Sequence, residues 1–220
     1  DSAIIAENDG AIEFGKEFRG KQKISIKTGM AIKESLSRDY DVKMVCLKGH
    51  ISNHLDDLLC SDLVFNALHG GEGEDGTIQS YLDVYGINYT GSSAKASKLA
   101  MDKNLSKIIT HSVGVVTPRW ILIRKDKKDD FKIQDYDFLK LGVPFVVKPS
   151  DEGSTYGLSI VEKKDCLNDA VDEAFNFSDD VIIEEYISGR ELTVGILGDE
   201  VLPIVEIQPC RSYYDFDCKY

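Results

Sequence analysis

The sequence predicts an α/β fold in two modules, on three observations. Through the first half, apolar runs of strand length alternate with helix-length stretches, the pattern of a parallel sheet. In the second half, several short apolar runs follow one another with turns between them, the pattern of an antiparallel sheet. Within the second half, after its first apolar run, a charged stretch, Arg124 to Lys132, reads as a solvated loop. The expected domains are 1–115, an N-terminal parallel-sheet domain, and 116–220, an α+β region beginning near Val116.

Taken in order, Ile26, Met30, Ile32 and Leu36 form an imperfect helical stripe, and Asp41 to Leu47 is the strand after it. Leu63 to Leu68 is the next apolar run, ending at His69-Gly-Gly, and Thr77 to Tyr85 is the helix that follows. Ser97 to His111 reads as one further helix with Leu99, Met101, Leu105, Ile108 and Ile109 as its core side, closed by Gly114 and Pro118. Trp120 to Ile123 opens the second sheet, and Leu141-Gly-Val-Pro144 leads into the strand that carries Lys148. Leu158 to Val161 returns from a glycine loop, Asp165 to Phe175 is a surface helix, and Val181 to Tyr186 is the next strand. Glu191 to Leu197 and Val201 to Ile207 extend the antiparallel sheet.

Composition excludes several classes. With 220 residues, 42% of them hydrophobic, the chain can bury a core and is not disordered. A formal charge of −12 opposes a nonspecific grip on nucleic acid, which needs a cationic surface. There is no apolar run of membrane-spanning length and no basic and apolar leader at Asp1-Ser-Ala-Ile-Ile, so a soluble cytoplasmic protein is expected, with no membrane partner. Cys46, Cys60, Cys166, Cys210 and Cys218 are odd in number and scattered, as reduced thiols are. The missing initiator Met and the end at Tyr220 inside a polar aromatic run read as a fragment.

The chemistry is concentrated in Val146-Val-Lys-Pro-Ser-Asp-Glu-Gly-Ser-Thr-Tyr-Gly157. Lys148 ends an apolar strand and aims its charge at the loop, where Gly153 and Gly157 let backbone N–H groups approach anionic oxygens. Ser154 and Thr155 either donate to phosphate or carboxylate or do ordinary turn chemistry. No G-x-x-x-x-G-K-[ST] is present, which excludes a P-loop enzyme. Lys103, near a helix start, is either a surface lysine or the partner of Lys148 in clamping one polyphosphate. His69-Gly-Gly-Glu-Gly-Glu-Asp-Gly76 contains a literal G-x-G-x-x-G, yet Glu72, Glu74 and Asp75 put three carboxylates where a dinucleotide's pyrophosphate would sit. That acidity suits an ammonium group or a capped helix instead. Glu184 to Glu191 pairs a strand end with a turn and an acid, suited to adenine and ribose or to a plain edge strand.

In order, these segments resemble the D-alanine-D-alanine ligases of the ATP-grasp superfamily, from about Ile24 to Tyr220. The likeness rests on Ile24-Ser-Ile-Lys-Thr-Gly29, Ala67 to Thr77, Tyr89-Thr-Gly-Ser92, Ala100-Met-Asp-Lys103, Val147-Lys-Pro-Ser-Asp-Glu-Gly-Ser154, Glu184 to Glu191 and Tyr214 to Tyr220. The resemblance implies a preATP-grasp domain followed by ATP-grasp domains, with the C-terminal part of the fold beyond this chain. It implies ATP-dependent ligation of two D-alanine molecules through an acyl phosphate, for peptidoglycan synthesis, with Mg2+ or Mn2+ as cofactor and a homodimer as the assembly. It places ATP on Lys103, Lys148, Glu152, Gly153, Ser154, Glu184, Ile187, Glu191 and Lys219. His69 and Glu74 flank the first D-alanine, and Ser154 and Tyr220 link the glycine loop to the loop over the active site.

Two departures accompany the likeness. The family glutamate that receives the first D-alanine's ammonium falls on Lys21, which would repel it. The family's metal ligands and its phosphoryl-stabilising arginine fall beyond Tyr220, so no metal ligand is expected within the chain. The alternatives are another ATP-grasp carboxylate-amine ligase, such as a D-alanine-D-lactate ligase, and a noncatalytic nucleotide-binding homologue.

Overall fold

The computed structural model describes residues 2–7, 18–47, 49–132 and 143–208. The chain divides into two units, Asp1–Ser106 and Lys107–Tyr220.

In the first unit, strands β1 (Ser2–Glu7), β2 (Val42–Leu47) and β3 (Leu63–Asn66) form a parallel sheet in the order β2-β1-β3. The parallel sheet expected from the alternation is present. Its central strand is one the helix-and-strand pattern did not assign, although Ala3-Ile-Ile-Ala6 is an apolar run of strand length. Successive side chains of a strand point to opposite faces, and both faces here are covered. On one face Val42, Phe65 and Ala67 meet Ile32 and Leu36 of helix α1 (Phe18–Leu36). On the other, Val45, Leu47 and Val64 pack with Leu58 of α2 (Leu55–Leu59) and with Ile78 and Leu82 of α3 (Thr77–Val84). Met30, expected on the buried stripe of α1, is exposed, whereas Ser25 and Gly29 are buried. Small residues at those two positions let the helix lie close to its neighbours.

The helix expected over Ser97 to His111 is two helices, α4 (Ala94–Met101) and α5 (Lys103–Ser112). Asp102 separates them with an extended backbone and accepts from the Leu105 N–H at 3.0 Å, capping α5. The core expected along this stretch is also corrected. Leu105, Ile108 and Ile109 are exposed, and the buried residue of α5 is Lys107. An apolar stripe identifies a face but not which face the fold covers; here an ion pair turns the lysine inward.

The second unit is built on an antiparallel sheet of β4 (Trp120–Arg124), β5 (Phe145–Pro149), β6 (Ser159–Val161) and β7 (Asp180–Glu185), in the order β4-β7-β5-β6. One face carries Ile123, Phe145, Val147, Val181 and Ile183, against which helix α6 (Leu167–Ala174) packs Leu167, Ala170, Val171 and Ala174. The helix expected on the surface is therefore half core, its spacing of three and four residues giving one buried face. Glu191 to Ile207 is antiparallel as expected but does not extend this sheet. It forms two separate ladders, β8 (Glu191–Thr193) with β11 (Val205–Ile207) and β9 (Ile196–Leu197) with β10 (Glu200–Val201). Gly198, at a φ of 59°, makes the tight β9–β10 turn that interrupts the longer runs.

Candidate functional site

The acidic glycine loop of the first unit follows β3, at the carboxyl end where open parallel sheets place their ligand contacts. Asn66 ends the strand early by accepting from Leu68 N–H with one side-chain atom and donating to the Gly73 carbonyl with the other, at 3.1 and 2.9 Å. Gln79 Nε2 donates to the same carbonyl at 2.9 Å. A β-carbon on Gly73 would run into Leu68, and one on Gly76 into the Ala94 carbonyl, so both glycines are required by close approach. The loop is thus held at its middle, and its acids divide. Asp75 accepts from Thr77 N–H at 2.9 Å, occupying the start of α3 where a dinucleotide's pyrophosphate would bind. Glu74 turns the other way, its Oε1 3.8 Å from His69 Nδ1. His69 is fixed from behind, with Nε2 3.2 Å from Thr28 Oγ1 and its backbone N–H donating to Ser25 Oγ at 3.0 Å. His69 and Glu74, joined in expectation, are neighbours in the fold. Lys103 is the first residue of α5.

In the second unit the strand register assembles the charged residues. Trp120 of β4 and Val146 of β5 both stand opposite Glu184 of β7, and Lys148 is two residues on from Val146 on the same face. Glu184 Oε1 pairs with Lys148 Nζ. Its Oε2 pairs with Lys107 Nζ at 2.9 Å. The three side chains are 9%, 20% and 11% exposed, so the cluster is largely desolvated. Lys107 also donates to Thr117 Oγ1 at 2.6 Å and stands 5.1 Å from the centre of the Trp120 ring.

Immediately after β5 the glycine loop turns through three left-handed residues, Ser154, Thr155 and Gly157, with φ of 54°, 67° and 63°. Two of these are not glycine, and such conformations store strain of about 1–3 kcal/mol each. Gly157 is confined by Phe177 and Pro149, which an added β-carbon would meet at 2.7 and 2.9 Å. Tyr156 stacks on Phe177 with ring centres 6.4 Å apart, fastening the far side of the loop. Glu152 and Gly153 lie within this loop, partly exposed, while Ile187 and Glu191 lie on the exposed chain after β7. Lys219 and Tyr220, and the side chain of Lys21, lie outside the described residues.

Lys107, Thr117 and Trp120 belong to the cluster around Glu184, and the sequence reading missed them. Lys107 sits in a helix among polar neighbours and reads as a surface lysine; the available signal was the lone tryptophan at the head of a strand. Glu185, next to Glu184 but facing away, binds Arg119 instead: the guanidinium donates to Oε1 and the Arg119 backbone N–H to Oε2 at 3.0 Å. The guanidinium's hydrogen bond, then the backbone one, holds the Glu185 carboxyl below its ordinary 4.5, against a smaller upward push from burial. A carboxyl whose value falls on folding stabilises the fold above its unfolded value and ceases to as pH falls through the folded one. Glu185→Gln is therefore expected to be less stable than wild type at neutral pH and to converge with it in acid below pH 4.5. Paired thermal melts at low and neutral pH check this, and the gap should shrink with added salt because the pair is exposed.

Two family models match the chain: the D-ala D-ala ligase C-terminus over residues 109–220 and the D-ala D-ala ligase N-terminus over residues 48–92. The chain belongs to the D-alanine-D-alanine ligase family. Among relatives, the D-alanine-D-alanine ligase of Syntrophotalea carbinolica is 38% identical over 201 residues, which cover 91% of this chain and 63% of that protein. The chain thus spans less than two thirds of that relative's length. Among solved structures, D-alanine-D-alanine ligase from Bacillus anthracis matches with a TM-score of 0.80 at 32% identity, covering 100% of this chain and 67% of that one. The same ligase complexed with ATP matches at 0.79 and 33%, covering 94% and 66%. The fold expected from the resemblance is therefore present, in the mixed α/β form of this ligase family. Among the described residues no helix is long and apolar enough to cross a membrane.

Proposed function

We propose that the whole protein joins two D-alanine molecules in an ATP-dependent reaction that supplies D-alanyl-D-alanine for peptidoglycan, acting in the cytoplasm as a homodimer. The observation that carries the reading is the desolvated Lys148–Glu184–Lys107 cluster directly before a tightly held glycine loop, in a chain of this ligase family. Two ammoniums against one carboxylate leave a local positive charge in a protein of formal charge −12, which suits a polyphosphate. Lys148 would face the phosphates, and the Glu152 to Gly157 loop would cover them with backbone N–H groups. Lys103 and Lys219 would add cationic contacts, Ile187 and the Glu184 backbone would hold adenine, and Glu191 would accept from ribose.

One D-alanine, its ammonium beside Glu74 and its carboxylate near His69, would attack the γ-phosphorus with a carboxylate oxygen. The bond from that phosphorus to the bridging oxygen breaks, giving ADP and an acyl phosphate. The amine of the second D-alanine then attacks the acyl carbon, loses a proton and expels phosphate. Ser154 and Tyr220 would tie the glycine loop to the loop closing over these species, excluding water that would hydrolyse the acyl phosphate. Magnesium, when bound, would supply charge neutralisation in the phosphoryl transfer. Among the described residues no three His, Cys, Asp or Glu side chains gather for a metal ion, so they offer no ready-made ligand set for Mg2+ or Mn2+.

The test is phosphate release from ATP by the whole protein with magnesium, with D-alanine, with L-alanine and with neither. Release only with D-alanine is expected. ATP binding without D-alanine-dependent release would overturn ligation and leave a nucleotide-binding protein.

A further inference from the structure

Among the described residues of the second unit Lys107 and Glu184 are the buried charged side chains, and the proposed reaction gives Lys107 no contact with substrate. Its ammonium donates to Thr117 Oγ1 at 2.6 Å, pairs with Glu184 Oε2 at 2.9 Å and stands 5.1 Å from the centre of the Trp120 ring. A lysine so engaged is held in place on three sides. What it holds in turn is one of the two oxygens of the carboxylate whose other oxygen binds Lys148.

We propose that Lys107 is a positioning residue of the phosphate site: by holding one oxygen of Glu184 it keeps that carboxylate from neutralising Lys148. The inference deepens the nucleotide reading above and rests on it. With Lys107 in place, two positive charges share one negative charge and the cluster stays cationic toward a polyphosphate. Without it, Glu184 has a single partner. The carboxylate then turns both oxygens to Lys148, the cluster becomes neutral, and the ammonium's hydrogens are drawn away from the loop. Thr117 and the Trp120 ring set where Lys107 stands, and through it where Glu184 stands. The role is thus specific to phosphate: the part of a nucleotide that carries no charge gains nothing from it.

The test is calorimetric titration of the chain with ADP and, separately, with adenosine. Lys107→Met is expected to weaken ADP binding about tenfold while adenosine affinity stays within about twofold. Lys107→Arg, which keeps the charge and can still fork onto Glu184, should restore most of the ADP affinity. In a Glu184→Gln background the carboxylate to be restrained is gone, so adding Lys107→Met should change ADP affinity less than about twofold. Thr117→Val leaves every charge in place and only loosens Lys107; an ADP-specific loss of about two- to threefold is expected, and this variant carries the test if Lys107→Met does not fold. Equal losses for ADP and adenosine, or unchanged ADP binding in both variants, would overturn the positioning role. A wild-type chain that binds neither molecule would overturn the nucleotide reading itself, which the adenosine arm distinguishes from failure of Lys107 alone.

Discussion

Lys148→Met is expected to reduce ADP affinity about 10- to 100-fold while adenosine binds as before. A hydrogen bond to a charged group contributes about 1.5–3 kcal/mol, and 1.4 kcal/mol is a factor of ten in affinity. The substitution removes such a contact together with the cluster's excess positive charge. It should do so without unfolding the protein, because Glu184 keeps Lys107 as a partner and is not left as an uncompensated buried charge. Titration with both ligands measures the effect, and the order of losses should be Lys148→Met, then Lys107→Met, then Thr117→Val. Equal ADP affinities for wild type and Lys148→Met would remove the phosphate site from this face of the sheet.

Phe145→Ala is expected to cost about 3–5 kcal/mol of stability in the second unit. Phe145 is 1% exposed, stands opposite both Val161 and Glu185 in the ladder, and belongs to the core that α6 covers. Truncation leaves a cavity among groups already fixed by hydrogen-bonded strands on both sides, which limits how far the site can collapse. Trp120, the lone tryptophan of the chain, lies in β4 of the same unit, so its fluorescence during urea unfolding reports that unit. The midpoint should fall sharply for Phe145→Ala and only slightly for Phe145→Leu, which conserves most of the volume. Similar midpoints for wild type and Phe145→Ala would mean that the four-stranded sheet is not held by this core.

Much of this was legible in the chain because it depends on neighbours in sequence. The alternation that placed β2, β3 and α3 reflects which side chains a strand or helix turns to a core, and that periodicity is local. Lys148 was legible for a similar reason: a Val-Val strand, a proline and two glycines within twelve residues describe a charge delivered to a bare backbone. The division of labour in the acidic loop was half legible. Three carboxylates argued against a pyrophosphate, but only the fold assigned Asp75 to α3 and Glu74 to His69, because Asn66 and Gln79 clamp the Gly73 carbonyl between them.

What the sequence determined by itself was the class of fold, the strand–loop pairs that form the candidate site and the ordered run of motifs that marks the family. What only the tertiary structure decided was which residues meet across strands. Lys107 and the apolar Leu105, Ile108 and Ile109 share one helix, and sequence favoured the wrong side of it. Burial of the lysine depends on Glu184, 77 positions later, arriving beside Trp120 and Lys148 through the register of three strands. Pairing energy between groups that distant along the chain exists only once the sheet has brought them together, and no local pattern records it.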